Sequence, residues 1–414
     1  MRKIFPLFLA VLLTAAATTP VAAQTYGNAV AVADGTVLVA EPAATARPGT
    51  IHIYRPDADG GWTEGGQIQA PGARAGDGFA AAIAVDGDLL LASRPADGEG
   101  RGAVYVFRRQ GAEWAPAGRI VPEGAVPGDS AGVALAVSGR HAIIGSIRAG
   151  GGTGASWIYR LEGAEWVHAA RLTGSDAARG DAFGAVVALS GERAAVGAPL
   201  QGSRRGAAYV YSAGPAGWAQ EAKLVARTTG QGDHFGASLA MRGDTVFVGA
   251  PTRDAGAGTV FIFTPSGEGQ WASAMRLFPL EGPSDARFGT TLTVLGAELF
   301  TGAPGARGYR GAFHQLVRDD SGAWARARVV VAEDTERGDN LGATFATDGR
   351  VAVAGLPGDD RGAGTAVIFV REGEGWREAA KVASDPALYA AVTGGQVDCA
   401  GGQATAFECA DVDL

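Results

Sequence analysis

Residues 180–224 read GDAFGAVVALSGERAAVGAPLQGSRRGAAYVYSAGPAGWAQEAKL, and this stretch decides the fold. Gly180-Asp181-Ala182-Phe183-Gly184 opens into Ala185–Leu189, a first strand of small and apolar residues. Ser190-Gly191 is a tight turn, and Ala194–Ala198 is a second strand stopped by Pro199. After a loop, Gly206–Tyr211 makes a third strand and Trp218–Leu224 a fourth. Four short strands within about fifty residues is the pattern of a propeller blade.

The unit repeats along the chain. Trp62, Trp114, Trp166, Trp218, Trp271, Trp324 and Trp376 are spaced by 52, 52, 52, 53, 53 and 52 residues. Six residues after each stands an aliphatic, from Ile68 to Val382, and an even offset predicts both side chains on one strand face. The in-phase tryptophans are therefore expected between blades, and the out-of-phase Trp157 is expected to matter less. Third strands open at Gly49, Gly102, Gly154, Gly206, Gly258, Gly311 and Gly364. Period and strand count predict an all-β fold: a seven-bladed β-propeller, four antiparallel strands per blade, over residues 24–384, with a short C-terminal tail.

Composition agrees. The 414 residues include 65 Gly, which argues against long helices, and 47% apolar residues, enough for a core. A net charge of −8 argues against non-specific nucleic-acid binding. Arg2-Lys3, the apolar stretch Ile4–Ala17 and Val21-Ala22-Ala23 read as a signal peptide over residues 1–23, and no later segment reads as a membrane span. The expected location is secreted, periplasmic or cell surface.

Phe183-Gly184 with Gly197-Ala198-Pro199, Phe235-Gly236 with Gly249-Ala250-Pro251, and Phe288-Gly289 with Gly302-Ala303-Pro304 resemble the FG-GAP repeat. That repeat forms the seven-bladed propeller of integrin α-chains and of many bacterial extracellular proteins. The resemblance brings calcium into question, because integrin-type repeats carry an Asp-rich loop between first and second strands. Here those connections are x-Gly turns such as Asp34-Gly35 and Ser190-Gly191, too short to supply roughly six to eight oxygens, so no cofactor and no metal is expected. Residues 385–414 hold the two cysteines, Cys399 and Cys409, and the run from Cys399 to Leu414 resembles the opening of the repeat domain of "choice-of-anchor B" surface proteins. The tail reads as the truncated start of a further domain, with Cys399–Cys409 pairing set against two free thiols.

Several motifs are explained by the repeat. Gly128-Asp129-Ser130-Ala131-Gly132 matches a nucleophile elbow but is unit three's copy of Gly180–Gly184. The Arg-Gly-Asp tripeptides at Arg179, Arg242 and Arg337 fall on repeat consensus or on a turn. The histidines His52, His141, His168, His234 and His314 read as occupying different repeat positions, without metal-ligand spacing. Asp77, Asp129, Asp181, Asp233, Asp285 and Asp339 precede the first strands and are expected to accept backbone N–H bonds.

One feature exceeds the repeat. Every loop between second and third strands carries arginine: Arg47, Arg94, Arg101, Arg148, Arg204, Arg205, Arg253, Arg307, Arg310 and Arg361. All seven loops emerge on one propeller face, and guanidinium suits carboxylate, sulfate or phosphate oxygens. The competing reading pairs these arginines with neighbouring aspartates, tying blades together. The sequence thus predicts a monomeric, non-catalytic binding or adhesion scaffold whose partner is an anionic polysaccharide or protein surface. The alternative is a propeller hydrolase or lyase with its site at the central channel.

Overall fold

A computed structural model describes residues 26–42, 47–267, 269–279, 285–384, 403–404 and 407–408. Seven four-stranded antiparallel sheets, each built of consecutive strands, form blades 1 to 7 at residues 29–68, 83–120, 134–172, 186–224, 238–277, 292–330 and 344–383. First strands contact one another around the ring, and that of blade 7 contacts that of blade 1. Among the described residues no strand is exchanged at closure. Instead Tyr26 donates its backbone N–H to Ala363 O (3.1 Å), and Thr344 Oγ1 donates to Gly27 O (2.6 Å). On the opposite face, the Gly35 N–H donates to Asp348 Oδ2 (2.7 Å). The stretch read as a leader, residues 1–23, and both cysteines lie outside the described residues. Within the tail, Gln403–Ala404 pairs with Phe407–Glu408.

The repeat glycines have specific contacts. Gly184 sits at φ +87, and a Cβ there would stand 2.7 Å from Ala155 O of the preceding blade. Gly197 abuts the carbonyl of Gly236 in the following blade. Each motif half is thus the small surface on which an adjacent blade rests. Five of the six repeat aspartates accept the backbone N–H three residues upstream, from Asp77 with Arg74 (2.9 Å) to Asp339 with Glu336 (2.6 Å), as expected of a tight loop.

The tryptophans correct one expectation. Third and fourth strands of every blade are joined across a β-bulge: Val210 pairs with Ala222 but Tyr211 with Gln220, skipping Glu221. The inserted residue reverses the alternation, so the two positions six apart lie on opposite faces. Trp218 packs with blade 3 residues such as Ile143 and Ile158, whereas Leu224 packs with blade 5 residues such as Val246 and Val248. Every in-phase tryptophan faces the preceding blade and every following aliphatic the next.

Trp157 is corrected as well. It is fully buried, with Nε1 donating to Glu123 O (2.9 Å), while of the seven in-phase tryptophans only Trp114 is buried. Trp157 stands three residues after its strand-opening glycine, as do Tyr105, Tyr209 and Phe261. His52 and His314 share that position, so the histidines do not all occupy different ones. At this level Phe183 meets Tyr209 (5.3 Å), Phe235 meets Phe261 (5.3 Å) and Phe288 meets His314 (5.1 Å), mostly edge to face. His52 is buried, with Nε2 3.0 Å from Glu41 and Nδ1 2.9 Å from Glu64.

Candidate functional site

The central channel is lined by the first strands. Its two segments, of about 430 and 350 Å³, present main chain, aliphatic side chains and neutral polar groups such as Asn28, Ser238, Thr290, Thr293 and Thr344. Neither segment is lined by a described acid or base, so the channel expected to house catalysis under the alternative reading lacks a proton-transfer group there.

The arginine loops do emerge together on one face, distributed around the ring. Arg47 pairs with Glu41 (3.1 Å), Arg94 with Asp77 (3.3 Å), and Arg253 with Asp254 (3.2 Å) and Asp233 (3.7 Å). Arg94 and Arg253 thereby tie their loops to the aspartate ring. Arg101 lies beside Glu99 (3.7 Å) and donates to Gly98 O (3.0 Å). Arg148, Arg204, Arg205, Arg307 and Arg310 are exposed, and among the described residues no carboxylate pairs with them. The side chain of Arg361 lies outside the described residues. Ser130 sits in a loop, its N–H bonded to Gly100 O (2.7 Å), with no strand-turn-helix around it. The aspartates of the three Arg-Gly-Asp tripeptides are engaged: Asp181 and Asp339 by backbone N–H groups, Asp244 by Arg193. Calcium finds no matching set either. Six of the seven first-to-second-strand connections are two-residue hairpins and that of blade 7 spans residues 348–350, and no three His, Cys, Asp or Glu side chains converge among the described residues.

Blade 2 carries the arrangement with chemical potential. Its loop at Asp97–Gly100 and the connection from blade 1 enclose about 440 Å³, lined by Arg74, Asp77, Arg94, Asp97 and Glu99. Asp77 is spent on structure: it accepts from the Arg74, Phe79 and Gly49 N–H groups. Arg94 Nη1 donates to the Tyr105 hydroxyl (3.3 Å), which donates to Asp97 Oδ2 (2.8 Å). Arg119 adds two bonds to the same oxygen (3.2 and 2.9 Å). Partial burial works against the Asp97 charge, but Tyr105 and Arg119 outweigh it and hold its carboxyl below the usual range. Arg94 Nε is buried without a hydrogen-bond partner among the described residues. Blade 7 has the same loop-to-outer-strand link, Asp359–Lys381 (2.6 Å), so the ion pair itself is part of blade construction. The cavity edged by Arg74 and Arg94 sets blade 2 apart. Sequence reasoning named Arg94, but did not single out Tyr105, Arg119 and Arg74, which come from three other segments.

Comparison with known proteins follows this geometry. The FG-GAP repeat profile matches residues 62–107, 166–211 and 218–263. Each match begins at an in-phase tryptophan and ends in the third strand of the next blade, so it spans the blade contact made by the motif glycines. No curated protein matches the chain. Among solved structures the chain is similar to the periplasmic gluconolactonase of Pseudomonas aeruginosa, with a TM-score of 0.56 at 15% identity, over 84% of this chain and 96% of that one. At that identity the likeness is one of fold. It nevertheless corrects the expectation of a non-catalytic scaffold, because the architecture on which that expectation rested is shared with a protein named as a gluconolactonase. No helix among the described residues is long and apolar enough to cross a membrane. The ring and the matched segments together describe a seven-bladed β-propeller that carries FG-GAP repeats at residues 62–107, 166–211 and 218–263.

Proposed function

We propose that the protein is an exported hydrolase that opens a small ester or lactone in the blade 2 pocket. The observation that carries the reading is an ionised Asp97 at the edge of a cavity that also presents Arg74 and Arg94. The cavity size suits a small molecule. The fold likeness to a periplasmic gluconolactonase supports both the reaction class and export, and the residue 1–23 leader pattern supports export independently.

The chemistry needs three acts. Asp97 takes a proton from water as its oxygen bonds to the carbonyl carbon. The resulting oxyanion is stabilised by the guanidinium N–H donors of Arg74, which is exposed at the cavity edge. Collapse breaks the bond to the ester or ring oxygen, which recovers the proton from Asp97, leaving a hydroxyl and a carboxylic acid that loses its own proton to solvent and becomes the carboxylate. The carboxylate product is held beside Arg74. Tyr105 positions the base by donating to Oδ2, leaving Oδ1 for water.

The test is titration of acid release at constant pH with glucono-lactone and simple acyclic esters, corrected for spontaneous hydrolysis. Wild type is expected to turn over at least one, and Asp97→Asn to lower kcat by about 10²–10⁴-fold, the usual contribution of a general base. No hydrolysis of either class, or a folded Asp97→Asn protein with unchanged kcat, overturns the proposal.

A further inference from the structure

The inner side of each in-phase tryptophan forms a socket against the preceding blade, and neighbouring sockets show what fills it. Between blades 6 and 7, Arg371 is the cross-strand partner of Trp376, lies 5.6 Å from its ring centroid, and grips Glu298 of blade 6 through two 2.7 Å bonds. Between blades 4 and 5, Arg193 lies 5.8 Å over Trp271 and bonds Glu221 (3.0 Å). Arg193 and Glu298 hold the same register position, opposite the last residue of their blade's first strand: Ser190 with Arg193, Leu295 with Glu298.

Between blades 5 and 6 that filling is incomplete. Arg318 is again the cross-strand partner of the tryptophan, Trp324. The position of Glu298, however, is taken by Thr245, opposite Arg242. Arg318 donates Nε to Gly322 O (3.1 Å), and no described carboxylate pairs with it or with Arg242. What remains is a cavity of about 220 Å³, walled by Phe247, Met275 and Trp324, with both arginines on its lining. Phe247 and Trp324 meet edge to face at 5.5 Å.

We propose that this socket binds a small carboxylate on an apolar, preferably aromatic, body. The ligand carboxylate takes the place that Glu298 holds against Arg371, and the body packs on Trp324 and Phe247. Thr245 is the residue that opens the site, because it substitutes a short neutral side chain for a carboxylate. The site lies apart from the blade 2 pocket and does not depend on the hydrolase reading.

Phenylacetate is the probe and phenylacetamide its neutral counterpart, followed by calorimetry and by tryptophan fluorescence on the full chain. Saturable binding of phenylacetate is expected at millimolar concentration or below, with the amide weaker by about tenfold or more, as loss of a charge-assisted pair requires. Arg318→Gln should weaken phenylacetate by a similar factor. Thr245→Glu should abolish binding and raise the unfolding midpoint, by supplying the missing carboxylate from the chain. Equal affinity for acid and amide, absence of binding to wild type, or undiminished binding to a folded Thr245→Glu protein would each overturn the assignment. Should Arg318→Gln not fold, the acid–amide comparison on wild type decides alone.

Discussion

Gly184→Ala tests whether the repeat glycines are what lets blades approach. Gly184 has φ +87, where an L side chain is strained by about 1–2 kcal/mol. Its new methyl would stand 2.7 Å from Ala155 O, 3.0 Å from Ser146 N and 3.1 Å from Ser146 O, all backbone atoms of blade 3 that cannot rotate away. Overpacking against fixed atoms adds about 1–3 kcal/mol, so the total is about 2–5 kcal/mol. Gly191→Ala is the matched control: its φ is +58, but nothing lies within 4 Å of the new methyl, so only the strain of about 1–2 kcal/mol remains. Urea unfolding of both variants reads the difference as a shift in midpoint at unchanged slope. Equal midpoints would refute the reasoning, because strain alone would then explain both and close blade approach would contribute nothing.

Three further outcomes follow from named contacts. Trp157→Ala should cost about 3–5 kcal/mol and Trp218→Ala, half-buried, clearly less; the reverse order in urea unfolding would contradict the observed burial. Arg371 holds the Glu298 carboxyl below its usual range, so this pair stabilises the fold above the ordinary glutamate pKa of about 4.3 and ceases to as pH falls through the lower folded value. Arg371→Gln should therefore flatten the acid limb of stability against pH, and an unchanged limb would remove the pair from the account. Addition of EDTA should leave the melting temperature unmoved, since the short hairpins offer no oxygen cage; a drop reversed by calcium would show a site elsewhere.

The ring was legible in the sequence because its determinants are local and periodic. Tryptophan spacing marks the blades, and glycine at fixed offsets marks turns and blade contacts whose backbone demands few other residues meet. The orientation of Trp218 was not legible, because a single bulged residue, Glu221, reverses alternation without leaving a compositional trace. The importance of Trp157 was hidden by its being out of phase, although Tyr105, Tyr209 and Phe261 at the same offset from a strand-opening glycine are the signal that could have revealed it. The arginine face was visible as a pattern, but which arginines are spent could not be read. Arg94 and Arg253 reach the aspartate ring while Arg204 and Arg205, one blade apart from Arg253, remain at the surface. The blade 2 pocket was not legible, since Arg74, Asp97, Tyr105 and Arg119 come from a connection, a loop and two strands whose proximity exists only in the folded blade.

The most direct measurement for the functional account is a crystal structure of the Asp97→Asn protein soaked with glucono-lactone or its hydrolysed acid. The account predicts ligand density in the cavity edged by Arg74, Arg94 and residue 97, with a ligand oxygen within hydrogen-bond distance of the Arg74 guanidinium. Ligand density confined to the central channel, or an empty blade 2 pocket at saturating ligand, would contradict it.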